Sequence, residues 1–176
     1  MNKLTPTMKP LLINNLEFAV SEQAVSGNVE LTVLQRLNEL LALQADHQQP
    51  ANIQYTLAGS AKKYSQPSLH LTIDANLPAI CQRCLSEMNV QLKLSFDYLI
   101  NEAEPVGFDE NDDLDWLEAS REMDVWEVVE DELLIAFPIA PVHSSEHQQE
   151  CIQHTKQSGE KPNPFAVLKD FAKKSS

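Results

Sequence analysis

The sequence predicts an α+β domain, an antiparallel sheet of three or more strands packed by helices, with an acidic loop and a short C-terminal helix. Three observations carry this. Residues 52–60, 67–77 and 88–100 alternate apolar and polar side chains, as antiparallel strands with one buried face do. Residues 32–44 and 125–137 instead space their apolar side chains three and four apart, as helices packed along one side do. Between them, residues 102–124 carry ten carboxylates opposed only by Arg121. Compaction would concentrate those like charges, so the block reads as a solvated loop.

Residues 1–10 hold Pro6 and Pro10 and no periodic pattern, a loose leader. From Leu11 to Gln23, Leu12, Leu16 and Val20 recur every fourth position and predict a short helix. Val25 to Leu31, around Gly27, predicts a short strand. The helix from Thr32 to Gln44 starts with a Thr32/Gln35 capping box and aligns Leu34, Leu37 and Leu41, with Leu40 beside them. Asp46 to Pro50 is a polar break.

The first long strand buries Ile53, Tyr55 and Leu57, and the second Leu69, Leu71 and Ile73. The third keeps Val90, Leu92, Leu94, Phe96 and Tyr98 on one face. Lys62-Lys63 and Ser65-Gln66-Pro67 connect the first two strands, and Cys81 to Cys84 connects the second and third. In the helix from Val125 to Phe137, Asp124 is the N-cap with Glu127 as its partner. Val125, Val129 and Leu133 share its face, Trp126 and Ile135 broaden it, and Pro138 ends it. Pro141 to Glu160 is polar, and Asn163-Pro164 opens a terminal helix with Phe165, Leu168 and Ala172 on its apolar side. The organisation is therefore a leader at 1–10, one domain at 11–138 that includes the acidic loop, and a polar tail at 139–176.

The chain has 176 residues, 43 % of them hydrophobic, enough to build a core. No apolar run reaches the length of a membrane span, and no apolar stretch follows Lys3 as in a secretory signal, so the expected address is the cytoplasm, without a membrane. The formal net charge of −13 argues against a simple phosphate binder and favours a basic partner. Phosphate loops, dinucleotide fingerprints, nucleophile elbows and metalloprotease motifs are absent, which points away from an enzyme.

Cys81, Cys84 and Cys151 are the three cysteines, too few and too odd in number for a disulfide framework. Two thiolates spaced as Cys81-x-x-Cys84 can share one zinc ion, because the turn between them brings both sulfurs to one side. That is half a site. His143, His147, Cys151 and His154 are the later residues able to complete it, and a helix would align the first three. The favoured expectation is nevertheless no cofactor: two half-buried thiols at a strand end, with the histidines on a solvated loop. A thioredoxin-like redox role fits less well, since strands rather than a helix flank the pair. Adjacent residues Glu130, Asp131 and Glu132 point in different helical directions, so they predict a solvated face, with partner binding second, rather than catalytic carboxylates. Trp116 and Trp126 are expected to pack, because a base-stacking platform sits in a basic groove and theirs is acidic.

Three stretches together resemble the YceD family of large ribosomal RNA accumulation proteins. These are Cys81-Gln82-Arg83-Cys84-Leu85, the run from Val129 to Pro138 followed by Pro141-Val142-His143, and the tail from Lys161 to Leu168. Their order, with an acidic block between the first two, is the specific part. The chain departs from the family pattern at Phe137, where many relatives have leucine, and in the lone Cys151, where some carry a denser cysteine cluster. The resemblance implies a role in synthesis, processing or stability of large-subunit (23S) ribosomal RNA and supplies no catalytic residue. The function expected is a non-enzymatic accessory factor that binds a ribosomal protein, a processing factor or a precursor particle. Arg83, Asp112, Asp113, Asp115, Glu130, Asp131 and Glu132 are the candidate partner-binding residues. The alternative is a small zinc- or thiol-dependent enzyme built on Cys81 and Cys84.

Overall fold

Alternation of apolar residues is translated directly into pairing register in the centre of the molecule. The computed structural model describes residues 10–42, 51–102, 114–143 and 151. Its elements in chain order are β1 (Leu12–Ile13), α1 (Asn15–Val20), β2 (Ala24–Val29), α2 (Gln35–Ala42), β3 (Asn52–Ser60), β4 (Ser68–Ile80), β5 (Glu87–Asn101), β6 (Leu114–Glu118), β7 (Met123–Asp124) and α3 (Val125–Ala136). A five-stranded sheet runs β2-β3-β4-β5-β6, and β1 pairs with β7 in a small separate ribbon.

Register places the predicted faces together: Leu57 opposite Leu71, Tyr55 opposite Ile73, and Leu71 opposite Phe96. On that face Ile53, Tyr55, Leu57, Leu69, Leu71, Ile73, Ala75 and Leu77 are buried, whereas Gln54, Thr56, Asp74 and Asn76 between them point to solvent. Leu34, Leu37 and Leu41 around α2 and Val125, Val129 and Leu133 of α3 close the same core. A helix layer on one face and a polar opposite face are what half-buried antiparallel strands require.

Several expectations fail, each for a local reason. The apolar series in the first predicted helix faces outward, with Leu12, Leu16 and Val20 49 %, 37 % and 54 % exposed. The chain there is the short strand β1 followed by α1, and Asn15, Phe18 and Ala19 are buried instead. Polar bonding sets this rotation. Asn15 donates from Nδ2 to Glu118 O at 2.8 Å and accepts from Ser120 N at 2.9 Å. Gly59 of β3 lets the α1 backbone come close: a Cβ there would lie 2.5 Å from Phe18 O and 2.7 Å from Ala19 Cα.

The helix expected from Thr32 begins later, at Gln35, and Thr32 Oγ1 donates to Glu30 rather than capping the helix. The acidic block contains a strand, β6, paired parallel with the end of β5, Leu99 opposite Trp116. A strand is tolerated there because Asp115 and Glu118 are exposed while Trp116 and Leu117 are half-buried. Ile135, expected on the core side of α3, is 80 % exposed. Asp124 does cap α3, accepting from Trp126 N at 3.0 Å. The leader up to residue 9, residues 43–44 of the second predicted helix and the predicted terminal helix lie outside the described residues.

Candidate metal centre

The turn between β4 and β5 is closed by two backbone bonds, Cys81 N to Ser86 O at 2.9 Å and Leu85 N to Cys81 O at 2.8 Å. Leu85 takes φ = 61°, the left-handed position that turns the chain back into β5. This geometry aims the peptide N–H groups of Arg83 and Cys84 at the sulfur of Cys81, and that of His143 joins them. A third bond, Gln82 N to Pro141 O at 2.8 Å, fastens the turn to the segment that follows α3. The family-like stretches around residues 81–85 and 141–143 are therefore neighbours in space.

Cys81, Cys84, His143 and Cys151 converge so that their ligand atoms all lie within 4.8 Å of one another. Cys151 Sγ is 3.6 Å from Cys81 Sγ and 3.4 Å from Cys84 Sγ. His143 Nδ1 is 3.1 Å from Cys151 Sγ and 3.5 Å from Cys84 Sγ. Ligands about 2.3 Å from a tetrahedral ion stand about 3.8 Å apart, close to these separations. All three cysteines are free thiols. Cys81 and Cys151 are fully buried, and Cys84 and His143 are half-buried. The Ser86 hydroxyl, 2.9 Å from Cys84 Sγ, is placed to donate to a thiolate there.

The electrostatics fit a cation. Burial pushes the Cys81 thiol up, but the N–H groups of Cys84, Arg83 and His143 and the Cys151 thiol outweigh it and bring Cys81 down to about 5. Cys151 moves the other way, to about 11, through burial and the neighbouring Cys84 and Cys81. One thiolate thus suppresses the next, a conflict that a dication at the centre removes. Three sulfurs and an imidazole nitrogen are a zinc donor set, and four side chains leave no coordination position for substrate. His147 and His154, the other ligands considered from sequence, lie outside the described residues.

The partner-binding candidates have diverse surroundings. Arg83 is exposed on the turn, and Asp115 is exposed on β6. Asp112 and Asp113 lie outside the described residues. The solvated face expected at residues 130–132 is found only at Asp131. Glu130 is 6 % exposed and bonded to Leu37 N and Arg36 Nε, so it belongs to the fold. Glu132 accepts the Tyr98 hydroxyl at 2.7 Å. Burial raises the Glu132 carboxyl above its ordinary value, Tyr98 counteracts this, and Asp115 and Asp131 raise it further.

Two groupings had no sequence signal of their own. Ser86 is an ordinary serine until the turn brings it to Cys84. Asp97, on the outer face of the sheet, accepts from Lys63 Nζ at 2.8 Å and Tyr64 OH at 2.9 Å, and lies 2.9 Å from Nδ1 of His70, its cross-strand neighbour. Burial raises this carboxyl, but the three partners outweigh it and hold it below its usual value. Strand register pairs His70 with Asp97, and the β3–β4 connection brings in Lys63 and Tyr64.

Fold and site together define an α+β protein with a partly buried cluster of three cysteines and a histidine at one end of its sheet. The chain matches the model of the family described as "Large ribosomal RNA subunit accumulation protein YceD" over residues 69–172, a stretch that contains all four of these residues. It belongs to the YceD family. A Haemophilus influenzae protein of that same name is 36 % identical over 115 residues, covering 58 % of this chain and 62 % of that protein. The chain thus aligns with somewhat less than two thirds of that relative's length. No solved structure matches. Among the described residues, no helix is long and apolar enough to cross a membrane.

Proposed function

We propose that this protein is a non-enzymatic accessory factor in the production or stability of large-subunit ribosomal RNA, acting in the cytoplasm through a ribosomal protein, a processing factor or a precursor particle. Family membership supports the ribosomal RNA role, since the relative carries it in its name. The single observation that supports binding over catalysis is the closure of the Cys81–Cys84–His143–Cys151 centre. A catalytic zinc keeps an open position, whereas four protein ligands with two buried sulfurs make a structural one. Zinc bound there would supply cross-linking rather than chemistry at substrate. It would join the β4–β5 turn, the segment after α3 and Cys151, which are far apart in sequence. The exposed acids Glu102, Asp115, Glu118 and Glu122 would attract a basic partner.

Sedimentation of a cell extract on a sucrose gradient, with and without RNase, tests this. Co-migration with large-subunit precursors, abolished by RNase, is the expected outcome. Protein that stays at the top of both gradients would refute stable particle binding.

A further inference from the structure

The outer side of the metal-site turn carries side chains that neither the core nor the centre uses. Leu85 is 74 % exposed while held at φ = 61°. Glycine and asparagine occupy that backbone region readily, and a leucine there is disfavoured twice, by its Cβ and by its contact with water. On the segment after α3, which is bonded to this turn, Ile139 is fully exposed and Val142 is 44 % exposed. Gln82 N is bonded to Pro141 O, and Cys84 Sγ lies 3.5 Å from His143 Nδ1, so Leu85 and Val142 each adjoin one member of the same ligand pair. Arg83 projects from this turn, and among the described residues no carboxylate forms an ion pair with it.

From this juxtaposition we infer that Arg83, Leu85, Ile139 and Val142 form a docking surface for a protein segment that presents apolar side chains beside a carboxylate. Charge selects the carboxylate, because Arg83 is an exposed cation that forms no ion pair among the described residues. The aliphatic character selects protein over RNA, since bases stack on aromatic rings and a chain of net charge −13 repels phosphates. An arginine beside exposed aliphatic side chains suits a contact in which arginine is enriched and other charges are few. The two backbone bonds that close the turn and the third that fastens it to Pro141 hold the backbone carrying Arg83 and Leu85 before binding, so less ordering remains to oppose association. The inference rests on the proposed adaptor role and specifies where the contact lies.

A photo-crosslinking residue, p-benzoylphenylalanine, in place of Val142 in the zinc-loaded full chain, illuminated in cell extract, tests this. The same residue in place of Gln91, exposed on the outer sheet face, is the control. The expected product is a protein whose crosslinked peptide maps to apolar residues flanking an Asp or Glu. Its yield should fall about fivefold or more with Leu85→Asn and with Arg83→Glu, as for residues that carry part of the binding energy. Leu85→Asn should melt at or above the wild-type temperature, because asparagine suits the left-handed backbone. A product that is RNA, equal products from Val142 and Gln91, yields untouched by both variants, or no product would each overturn the docking surface. So would a clear drop in melting temperature for Leu85→Asn, which would make Leu85 structural. Gradient co-migration without a Val142 product would reject this surface and leave the adaptor role standing. A Val142 product without co-migration would do the reverse.

Discussion

Glu130 of α3 reaches the first turn of α2, where its Oε1 accepts the N–H of Leu37 at 3.1 Å. Its Oε2 meets Arg36 Nε at 2.8 Å. A helix start leaves its first N–H groups without intrahelical partners, and here a carboxylate from another helix supplies one. The predicted capping residue Thr32 stands outside this arrangement.

Glu130→Ala should therefore destabilise the fold by about 2–3 kcal/mol, combining a lost cap with an uncompensated buried N–H. Asp131 also meets Arg36, at 2.6 Å, but both side chains are more than half exposed. Asp131→Ala should cost under about 0.5 kcal/mol, as exposed pairs do. Urea unfolding of both variants measures the difference, and equal losses would show that burial of Glu130 is not what matters.

Gly59→Ala should destabilise by about 1–3 kcal/mol, the usual range for overpacking. The added Cβ meets the backbone of Phe18 and Ala19, which cannot rotate away as a side chain would. Thermal melting reads the loss. A neutral result would mean that α1 shifts freely on β3.

Purified protein should contain one zinc per chain, and removing it with a chelator should lower the melting temperature by about 10 °C. This corresponds to about 3 kcal/mol at roughly 3 °C per kcal/mol for a chain of this size. Cys151→Ser should reproduce the drop, because it breaks the link between the β4–β5 turn and the later chain. Metal-free protein with unchanged melting would sink the structural centre.

Glu132 titrates above its ordinary value of 4.5 in the folded chain. A carboxyl raised by folding contributes stability that is full below the unfolded value and is lost as pH rises through the folded one. Glu132→Gln keeps an acceptor for Tyr98 and removes the charge. It should be neutral or stabilising at pH 7, and that advantage should disappear below about pH 4. Stability of the two proteins across pH 3–8 checks the sign, and a variant less stable at pH 7 would reverse the assignment.

The three long strands, the apolar faces of α2 and α3, the Asp124 cap and the family were legible in the sequence, because each is a local pattern or a contiguous motif. Leu57, Leu71 and Leu94 declare a half-buried strand through alternation alone. The spacing of Cys81 and Cys84 shows half of the four-residue cysteine–histidine cluster.

Tertiary structure decided what depends on partners distant in the chain. Periodicity gives the spacing of a stripe and not the direction it faces, so Leu12, Leu16 and Val20 predict a helix without showing that they face outward, which follows from the rotation of α1 that Asn15 and Gly59 fix. Glu130 looked like a surface acid because nothing within its own helix reveals Leu37 and Arg36. His143 and Cys151 were only two of several available ligands in sequence. The bond from Gln82 to Pro141 brings their segment against the turn, and the sulfur and nitrogen separations there single out these four side chains. The sequence by itself determined the chemistry available, because residue type and spacing are local. Only the tertiary structure decided which groups meet, because convergence at a few ångströms depends on the whole sheet being in register.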